Sequence, residues 1–360
     1  MKKICFFNSE KKWGGGEKWH FETSKIFQER GYEVFVLGNL ESKLLDKCDE
    51  NKIKTKRIKI KNRSFLNPFV IYQIIKFFKK EKIKIVICNL PIDMKLLSLS
   101  GIFVKLDKKI YRRGSAIPIK NNLLNRLFLG KLIDIIFVNS EETKRTVLKK
   151  LKAKEIFQKI KIIYNYFDPE VYDELGEENI NIEKKEGELI IGNLARISKQ
   201  KGQINFIEIA KILKTKDIKF KIYLAGVGEL YEELYESIRN NKLEEDIIFL
   251  GFVKNVKKFM EKIDIFAFTS IWEGFGYSLI EAMYFNKSIV AYDISSNGEV
   301  LDGYLGASVV KLNDNEEFSN SLIKGIKLNS VLESGNIGKD KVLNRFEKNK
   351  IIDEIQRIID

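Results

Sequence analysis

Proline, cysteine and histidine are scarce: the 360-residue chain holds four, three and one of them. So few prolines, together with 44% apolar residues, argue against long disordered tails and for a compact globular protein. Cys5, Cys48 and Cys88 are odd in number and widely scattered. They offer neither a disulfide framework nor metal-ligand spacing, and suit reduced, packed residues of a cytoplasmic protein. The single histidine, His20, is expected to be a structural residue of the first helix. No Asp-x-Asp occurs, there is no internal repeat, and no apolar run approaches the length that spans a bilayer. Met1-Lys2-Lys3-Ile4-Cys5-Phe6-Phe7 resembles the start of a secretory signal, but the apolar run ends at Asn8, so a first β-strand is expected instead.

Lysine, by contrast, is abundant and unevenly placed. The net charge is +14, yet residues 1–170 carry 38 Lys and Arg against 18 Asp and Glu, whereas the remainder carries 26 against 32. The basic character belongs to the first half and is densest over Lys52 to Lys61. Asn67 to Lys80, which follows, reads as a proline-started helix ending in lysines. Such a helix could lie on an anionic membrane, where each basic residue contributes about 1 kcal/mol. Equally, its lysines complement the helix dipole while its apolar residues face a core. A cytoplasmic protein, peripheral on the inner face of the membrane, is one expectation from this half. Nucleic acid is not an expected partner, because the aromatic residues are not interleaved with the charges as stacking platforms require.

At this length two domains of roughly 150 to 190 residues are expected rather than one core. Strands are predicted at residues 3–7, 32–37, 83–88, 109–112, 133–138 and 161–164, then at 189–194, 220–225, 246–250, 263–268 and 288–292, with helices between most of them. Alternation of this kind gives parallel, doubly wound sheets in both halves. The expected division is a first domain over 1–168, an acidic linker over 169–188, a second domain over 189–342, and a closing segment over 343–360 that packs back on the first domain. Asn344 to Ile359 is predicted as one helix. Functional residues in such sheets gather on loops at the strand C-terminal ends, so two facing sheets would place them across a cleft.

Three segments carry chemistry. Thr269 to Met283 follows a buried strand and turns through Gly274 and Gly276 into a helix, with Glu273 in the loop and Glu281 two turns on. Glu281 is the only charge between Tyr277 and Asn286. It is expected to be buried, which costs several kcal/mol, of the order given for an unpaired buried charge, unless a partner such as a ligand hydroxyl is supplied. Gly192 to Gly202 also joins a strand to a helix and offers Arg196 and Lys201, a pair suited to a diphosphate: arginine grips two oxygens and lysine supplies a mobile point charge. Lys199 and Lys201 could also be merely solvated in so lysine-rich a chain. Gly14-Gly15-Gly16-Glu17 opens the first helix, where glycines allow close backbone approach and free N–H groups face an anion. An ordinary flexible turn explains a glycine triplet equally well.

The segment with Glu273 and Glu281 resembles the E-x7-E motif of the family 4 retaining glycosyltransferases, also grouped as group 1. Gly14 to Glu17, Asn139-Ser140-Glu141, Ile163-Tyr164-Asn165, Arg196 with Lys201, and Ala225-Gly226-Val227-Gly228 follow in that family's order. The resemblance implies an α/β chain of GT-B fold, two facing Rossmann-like doubly wound domains with a cleft between them. It implies transfer of a sugar from a nucleotide-sugar, a UDP- or GDP-sugar, to a glycan or lipid-linked acceptor in polysaccharide or lipopolysaccharide assembly, with no separate cofactor. Arg196 and Lys201 would bind the donor diphosphate, helped by backbone N–H groups around Ser278 and Leu279. Glu281 would take the ribose hydroxyls, Glu273 with the backbone of Phe275 and Gly276 the sugar, and Gly15-Gly16 the phosphates or the acceptor. Arg and Lys would do a metal's work, so metal independence is expected.

One departure from the family concerns histidine. Many members place one after a first-domain strand, where this chain reads Tyr111-Arg112-Arg113-Gly114-Ser115. Arg113 is the residue expected to contact sugar or phosphate there. Asp93, after another strand, would orient or deprotonate an acceptor hydroxyl, or else simply form a turn. Two other classes stand beside the transferase: a nucleotide-sugar 2-epimerase of the same fold, which should need histidines or acid/base pairs, and a basic membrane or nucleic-acid binding protein without catalysis, which leaves Glu273, Glu281 and Arg196 unexplained.

Overall fold

The computed structural model describes residues 2–151, 154–173, 176–333 and 335–360. It divides into two compact units, Met1–Asn165 with Asn349–Asp360, and Tyr166–Lys348. Each is built on one parallel sheet. In the first, β1 (Lys3–Asn8), β2 (Glu33–Gly38), β3 (Lys54–Arg57), β4 (Ile85–Cys88), β5 (Lys108–Arg113), β6 (Ile135–Val138) and β7 (Ile160–Ile162) lie in the order β3-β2-β1-β4-β5-β6-β7. In the second, β8 (Leu189–Leu194), β9 (Phe220–Ala225), β10 (Ile247–Gly251), β11 (Ile265–Phe268), β12 (Ser288–Tyr292) and β13 (Ala307–Val310) lie in the order β10-β9-β8-β11-β12-β13.

Central strands β4, β11 and β12 are buried along their whole length, and β1 and β8 at all but one residue each, which is why they read as apolar runs. Ile4, Phe6 and Phe7 of β1 and Ile265, Phe266 and Phe268 of β11 have no exposed surface. The two strands absent from the sequence prediction are both edges, β3 and β13. β3 reads Lys-Thr-Lys-Arg, inside the most basic stretch of the chain, and carries the charges that protect an exposed sheet edge from pairing with other chains. No apolar alternation marks it, so periodicity could not find it.

Each sheet reverses its strand order once, between β1 and β4 and between β8 and β11. Connections diverge at that point and leave a crevice at the strand C-terminal ends, the usual seat of a ligand in doubly wound sheets. Gly14 to Glu17 and Asp93 follow β1 and β4; Arg196 and Lys201, and Glu273, follow β8 and β11.

One expectation is corrected. Asn344 to Ile359 is not one helix: Ile337–Phe346 and Lys348–Ile359 are separated at Glu347, whose ψ of 135° is extended. The break is held by a parallel bridge between Phe167 and Glu347, with Phe167 N donating to Phe346 O at 2.6 Å. The last helix then buries Ile351, Ile352, Ile355 and Ile359, and Arg30 pairs with its Asp353 at 2.5 Å. The described residues of the acidic stretch 169–188, which leave out 174 and 175, are bonded to the second unit. Glu178 accepts from the amides of Lys254 and Asn255, and Lys262 Nζ donates to Ile180 O. No described helix is long and apolar enough to cross a membrane.

Candidate active site

In the second domain the site begins with glycines that let two loops touch. After β8, Ala195 N donates to Ala225 O at 3.0 Å and Ile197 N to Val227 O at 3.1 Å. A Cβ on Gly226 or on Gly228 would lie 2.0 Å from the carbonyl oxygen of Ala195 or of Ile197. Only glycine permits this approach, and it fixes the backbone on both sides of Arg196. The Arg196 side chain is exposed and has only Glu229, at 3.9 Å, as an ion-pair partner among the described residues. A turn over Lys199–Lys201 follows, ended by Gly202 in the left-handed region at φ +63, where a Cβ would lie 2.3 Å from Thr269 O.

That turn is stitched across the switch point to the loop after β11. Ile271 N donates to Gln200 O at 2.8 Å, Gln200 Nε2 to Trp272 O at 3.0 Å, and Thr269 Oγ1 to Lys201 O at 3.0 Å. The seam brings Lys201 Nζ to 2.5 Å from Glu273 Oε1, which also accepts from Ser270 Oγ at 2.8 Å. Glu273 is buried and Lys201 nearly so. The Phe275 ring turns inward onto Tyr277 and Phe346, leaving its backbone in the loop. Gly276, at φ +76, begins the helix Tyr277–Tyr284, and no side chain caps that helix start. The Leu279 amide donates to Gly276 O at 3.0 Å, so of the two amides expected to face a diphosphate, that of Leu279 is already committed.

The burial of the two glutamates differs from expectation. Glu273, read from the sequence as a loop carboxylate, is the buried one at 8% exposure; Glu281 is half-buried. Helical geometry explains it: Leu279, Ile280, Ala282 and Met283 face the core, and position 281 shares the opposite face with Ser278, three residues back. Glu281 Oε1 accepts a hydrogen bond from Tyr172 Oη at 2.6 Å. Tyr172 itself stacks on Phe167, with ring centroids 5.3 Å apart. Sequence reasoning missed Tyr172, Gln200 and Ser270. Tyr172 reaches Glu281 from the short helix Glu170–Asp173, 109 residues away, and Gln200 reaches the Trp272 backbone across the seam, so neither has a spacing signal; Ser270 stands three residues before Glu273 in the same loop.

In the first domain a polar cluster gathers where β1, β4 and β5 end. Gly16 packs against Asn89, whose Nδ2 would lie 2.7 Å from an added Cβ, whereas nothing lies within 4 Å of one on Gly15. Glu17 is buried in the first turn of the helix Gly15–Glu29 and accepts from Asn8 Nδ2 at 2.8 Å; burial raises its pKa above the usual carboxylate range. Asp93 is fully buried. One carboxylate oxygen accepts from the amides of Ser9 and Leu90, both at 3.1 Å, capping the helix Pro91–Ser100, and the other has no hydrogen-bond partner among the described residues. Burial, the largest influence on it, pushes the Asp93 pKa up to about 7. His20 is buried against Phe6 and Trp19, bonds Gly16 O at 3.0 Å, and is held down to about 3 by that burial.

Arg113 turns inward. It donates to Tyr111 Oη at 3.0 Å and to Ile117 O. Its neighbour Arg112, passed over in the sequence, lies on the other face of β5. There its guanidinium sits 4.3 Å from the Trp19 ring centre and donates to Asn89 at 3.1 Å and Asn165 at 2.8 Å. Strand alternation would have separated the two arginines, since Arg113 shares the face of Tyr111.

The second switch point, flanked by Arg196, Lys201 and the buried Glu273, is the candidate site that the comparisons with known proteins bear on. Residues 176–349 match the family described as Glycosyl transferases group 1. The chain is 27% identical over 300 residues to an uncharacterised glycosyltransferase of Methanocaldococcus jannaschii, covering 77% of this chain and 73% of that one. It is 30% identical over 233 residues to the N-acetylgalactosamine-N,N'-diacetylbacillosaminyl-diphospho-undecaprenol 4-alpha-N-acetylgalactosaminyltransferase of Campylobacter jejuni, covering 64% of this chain and 58% of that one. HepE of Anabaena, solved in complex with UDP, shares the fold with a TM-score of 0.81 at 17% identity, covering 100% and 99% of the two chains; it has also been solved with UDP-glucose. The architecture is thus the GT-B fold, two Rossmann-like parallel-sheet domains. More particularly, residues 176–349, a little under half of the chain, are similar to the group 1 glycosyltransferases.

Proposed function

We propose that the protein is a metal-independent, retaining glycosyltransferase of family 4, with Glu273 and Glu281 as its E-x7-E pair. It transfers a sugar from a UDP- or GDP-sugar to a glycan or lipid-linked acceptor in surface polysaccharide or lipopolysaccharide assembly. The observation that carries this reading is the Lys201–Glu273 contact at the β8/β11 switch point, with the exposed Arg196 on the adjoining turn.

In this reading Arg196 and Lys201 hold the donor diphosphate beside the helix start at Ser278, and Leu279 contributes packing rather than its amide. Glu281 receives the ribose hydroxyls. Glu273 and the backbone of Phe275 and Gly276 hold the sugar. The bond from the anomeric carbon to the diphosphate breaks with its electron pair passing to the diphosphate. Cations placed there in advance stabilise that charge as it develops, and such electrostatic stabilisation commonly contributes more to catalysis than any other single effect. In the first domain, Gly15 and Gly16 approach the phosphates or acceptor, and Asp93 and Arg113 serve the acceptor hydroxyl and its surroundings. The domain's positive charge holds the enzyme at the inner face of the cytoplasmic membrane, where lipid-linked acceptors are presented.

UDP is the first nucleotide to test, given the HepE complexes, and a diphospho-undecaprenol saccharide the first acceptor, given the Campylobacter relative's substrate. Purified protein is incubated with UDP-, GDP-, ADP- and CMP-sugars, with and without EDTA, and release of nucleotide is followed. Release from one donor, unchanged by EDTA, is expected. Glu281→Gln should weaken donor binding and Lys201→Ala should lower turnover. No binding and no release with every donor would sink the proposal, and EDTA-sensitive turnover would remove its metal-independent part.

A further inference from the structure

A groove of about 1120 Å³ lies in the first domain, away from the polar cluster, between the edge strand β3 and the helix Pro68–Glu81. Val70 and Phe77, buried on the helix, line it, and Lys54, Lys56 and Lys59 line it from β3 and the residues after it. The helix adds Phe69, Tyr72, Lys76 and Lys80, a stripe at helical spacing that the domain core does not use. Phe69 and Tyr72 are 64% and 58% exposed, unusual for aromatic side chains on a helix that also buries Val70, Ile74, Phe77 and Phe78.

The charge is only partly neutralised. Glu33 pairs with Lys54, and Asp46 and Asp49 pair with Arg57, but among the described residues Lys56, Lys59 and Lys76 form no ion pair. Glu81 is the one carboxylate in the lining among the described residues. Cations therefore stand along both walls at a spacing of roughly 6 Å, two residues on a strand or four on a helix, and Phe69 and Tyr72 stand at the N-terminal end of the helical wall, ahead of its lysines.

We propose that this groove binds an acidic glycan chain, with sugar rings lying on Phe69 and Tyr72 and carboxylate or phosphate groups on Lys56, Lys59 and Lys76. Three features select this occupant. An added peptide strand would need a bare edge, and β3 carries lysines, which oppose strand addition. A bilayer is flat, and this surface is concave. Charge complementarity selects an anionic chain over a neutral one. The groove's length also matters: Lys59 and Asn67 lie at its end near the strand C-terminal edge, so a chain seated in it reaches the edge where the polar cluster lies. Its use as the seat of an acceptor chain rests on the glycosyltransferase reading; binding itself does not.

Binding of hexagalacturonate, maltohexaose and phosphatidylglycerol vesicles is measured by titration at constant ionic strength. The wild type should bind hexagalacturonate and not maltohexaose. Lys56→Gln with Lys76→Gln should weaken binding at least tenfold, and Tyr72→Ala severalfold, whereas Lys149→Gln with Lys150→Gln, on a different helix, should leave it unchanged. Equal loss in the control variant would mean unspecific charge attraction and overturn the proposal. So would absence of binding by the wild type, or groove variants that lose vesicle binding while holding hexagalacturonate normally. Hexagalacturonate bound in the groove without any donor turnover would retain the site and remove only its role in transfer.

Discussion

Lys201 Nζ lies 2.5 Å from Glu273 Oε1, joining two residues 72 positions apart in the chain. Neither loop could hold its charge there alone: Glu273 is 8% exposed and depends on the lysine, on Ser270 Oγ and on the backbone seam that aligns the loops. The same pair is structural in the free protein and, in the proposed function, catalytic when donor arrives.

Removing one partner of this pair leaves a charge stranded. Lys201→Ala is expected to lower stability by about 3 kcal/mol, the lower end for breaking a buried pair. Lys201→Ala combined with Glu273→Gln should recover most of that loss, since no charge is then left unpaired. Urea unfolding of the single and double variants measures both; equal destabilisation in the two would show that the pair is not what fastens the loops.

Tyr172 donates a hydrogen bond to Glu281, charge-assisted and short at 2.6 Å. Tyr172→Phe keeps the ring on Phe167 and removes only the hydroxyl. Losing such a bond costs about 1.5 kcal/mol, which predicts a donor KM raised about tenfold with kcat nearly unchanged. Steady-state kinetics with varied donor decides it, and a fall in kcat alone would assign the phenol a different role.

Arg196 and Gly228 separate binding from folding. Arg196 is exposed with one distant partner, so Arg196→Ala should change stability by no more than ~0.5 kcal/mol while weakening nucleotide diphosphate binding at least tenfold. Gly228→Ala forces a Cβ to within 2.0 Å of Ile197 O. It should cost about 1 to 3 kcal/mol, the usual range for overpacking, and displace Arg196 as well. Thermal unfolding beside UDP titration tests the contrast; a stable Gly228→Ala protein with normal affinity contradicts it.

Asp93 makes stability depend on pH in an unusual direction. Its folded pKa of about 7 stands above the ordinary carboxylate value, because burial disfavours the charged form. The folded state therefore holds a proton that the unfolded state has lost, and this contribution fades as pH rises from about 4 to 7. His20 acts oppositely: held neutral down to about 3, it contributes stability that is lost as pH falls below about 6.5. Asp93→Asn keeps an oxygen for the amides of Ser9 and Leu90, so the variant should gain on the wild type steadily across pH 4 to 7. A pH-independent difference between the two would show that Asp93 titrates normally.

Legibility in the sequence followed burial and spacing. The buried strands of both sheets announced themselves as apolar runs, and glycines marked the loops at both switch points. Edge strands β3 and β13 did not, although edges β7 and β10 did: β3 reads Lys-Thr-Lys-Arg and β13 only Ala-Ser-Val-Val, neither of them an unbroken run of large apolar residues. Arg113 was favoured over Arg112 although strand alternation sets them on opposite faces, one turned toward Tyr111 and the other toward Trp19, Asn89 and Asn165.

What the sequence determined by itself was local: alternating strands and helices, the glycine turns, the proline-started helix, and the two glutamates eight positions apart. These follow from backbone freedom and hydrophobic periodicity, which act over a few residues. Only the tertiary structure decided which glutamate is buried, that Tyr172 reaches Glu281, and that Lys201 meets Glu273. Contacts between loops are set by sheet order and by glycines that let backbones touch, and no local pattern encodes which distant side chain such a loop will deliver.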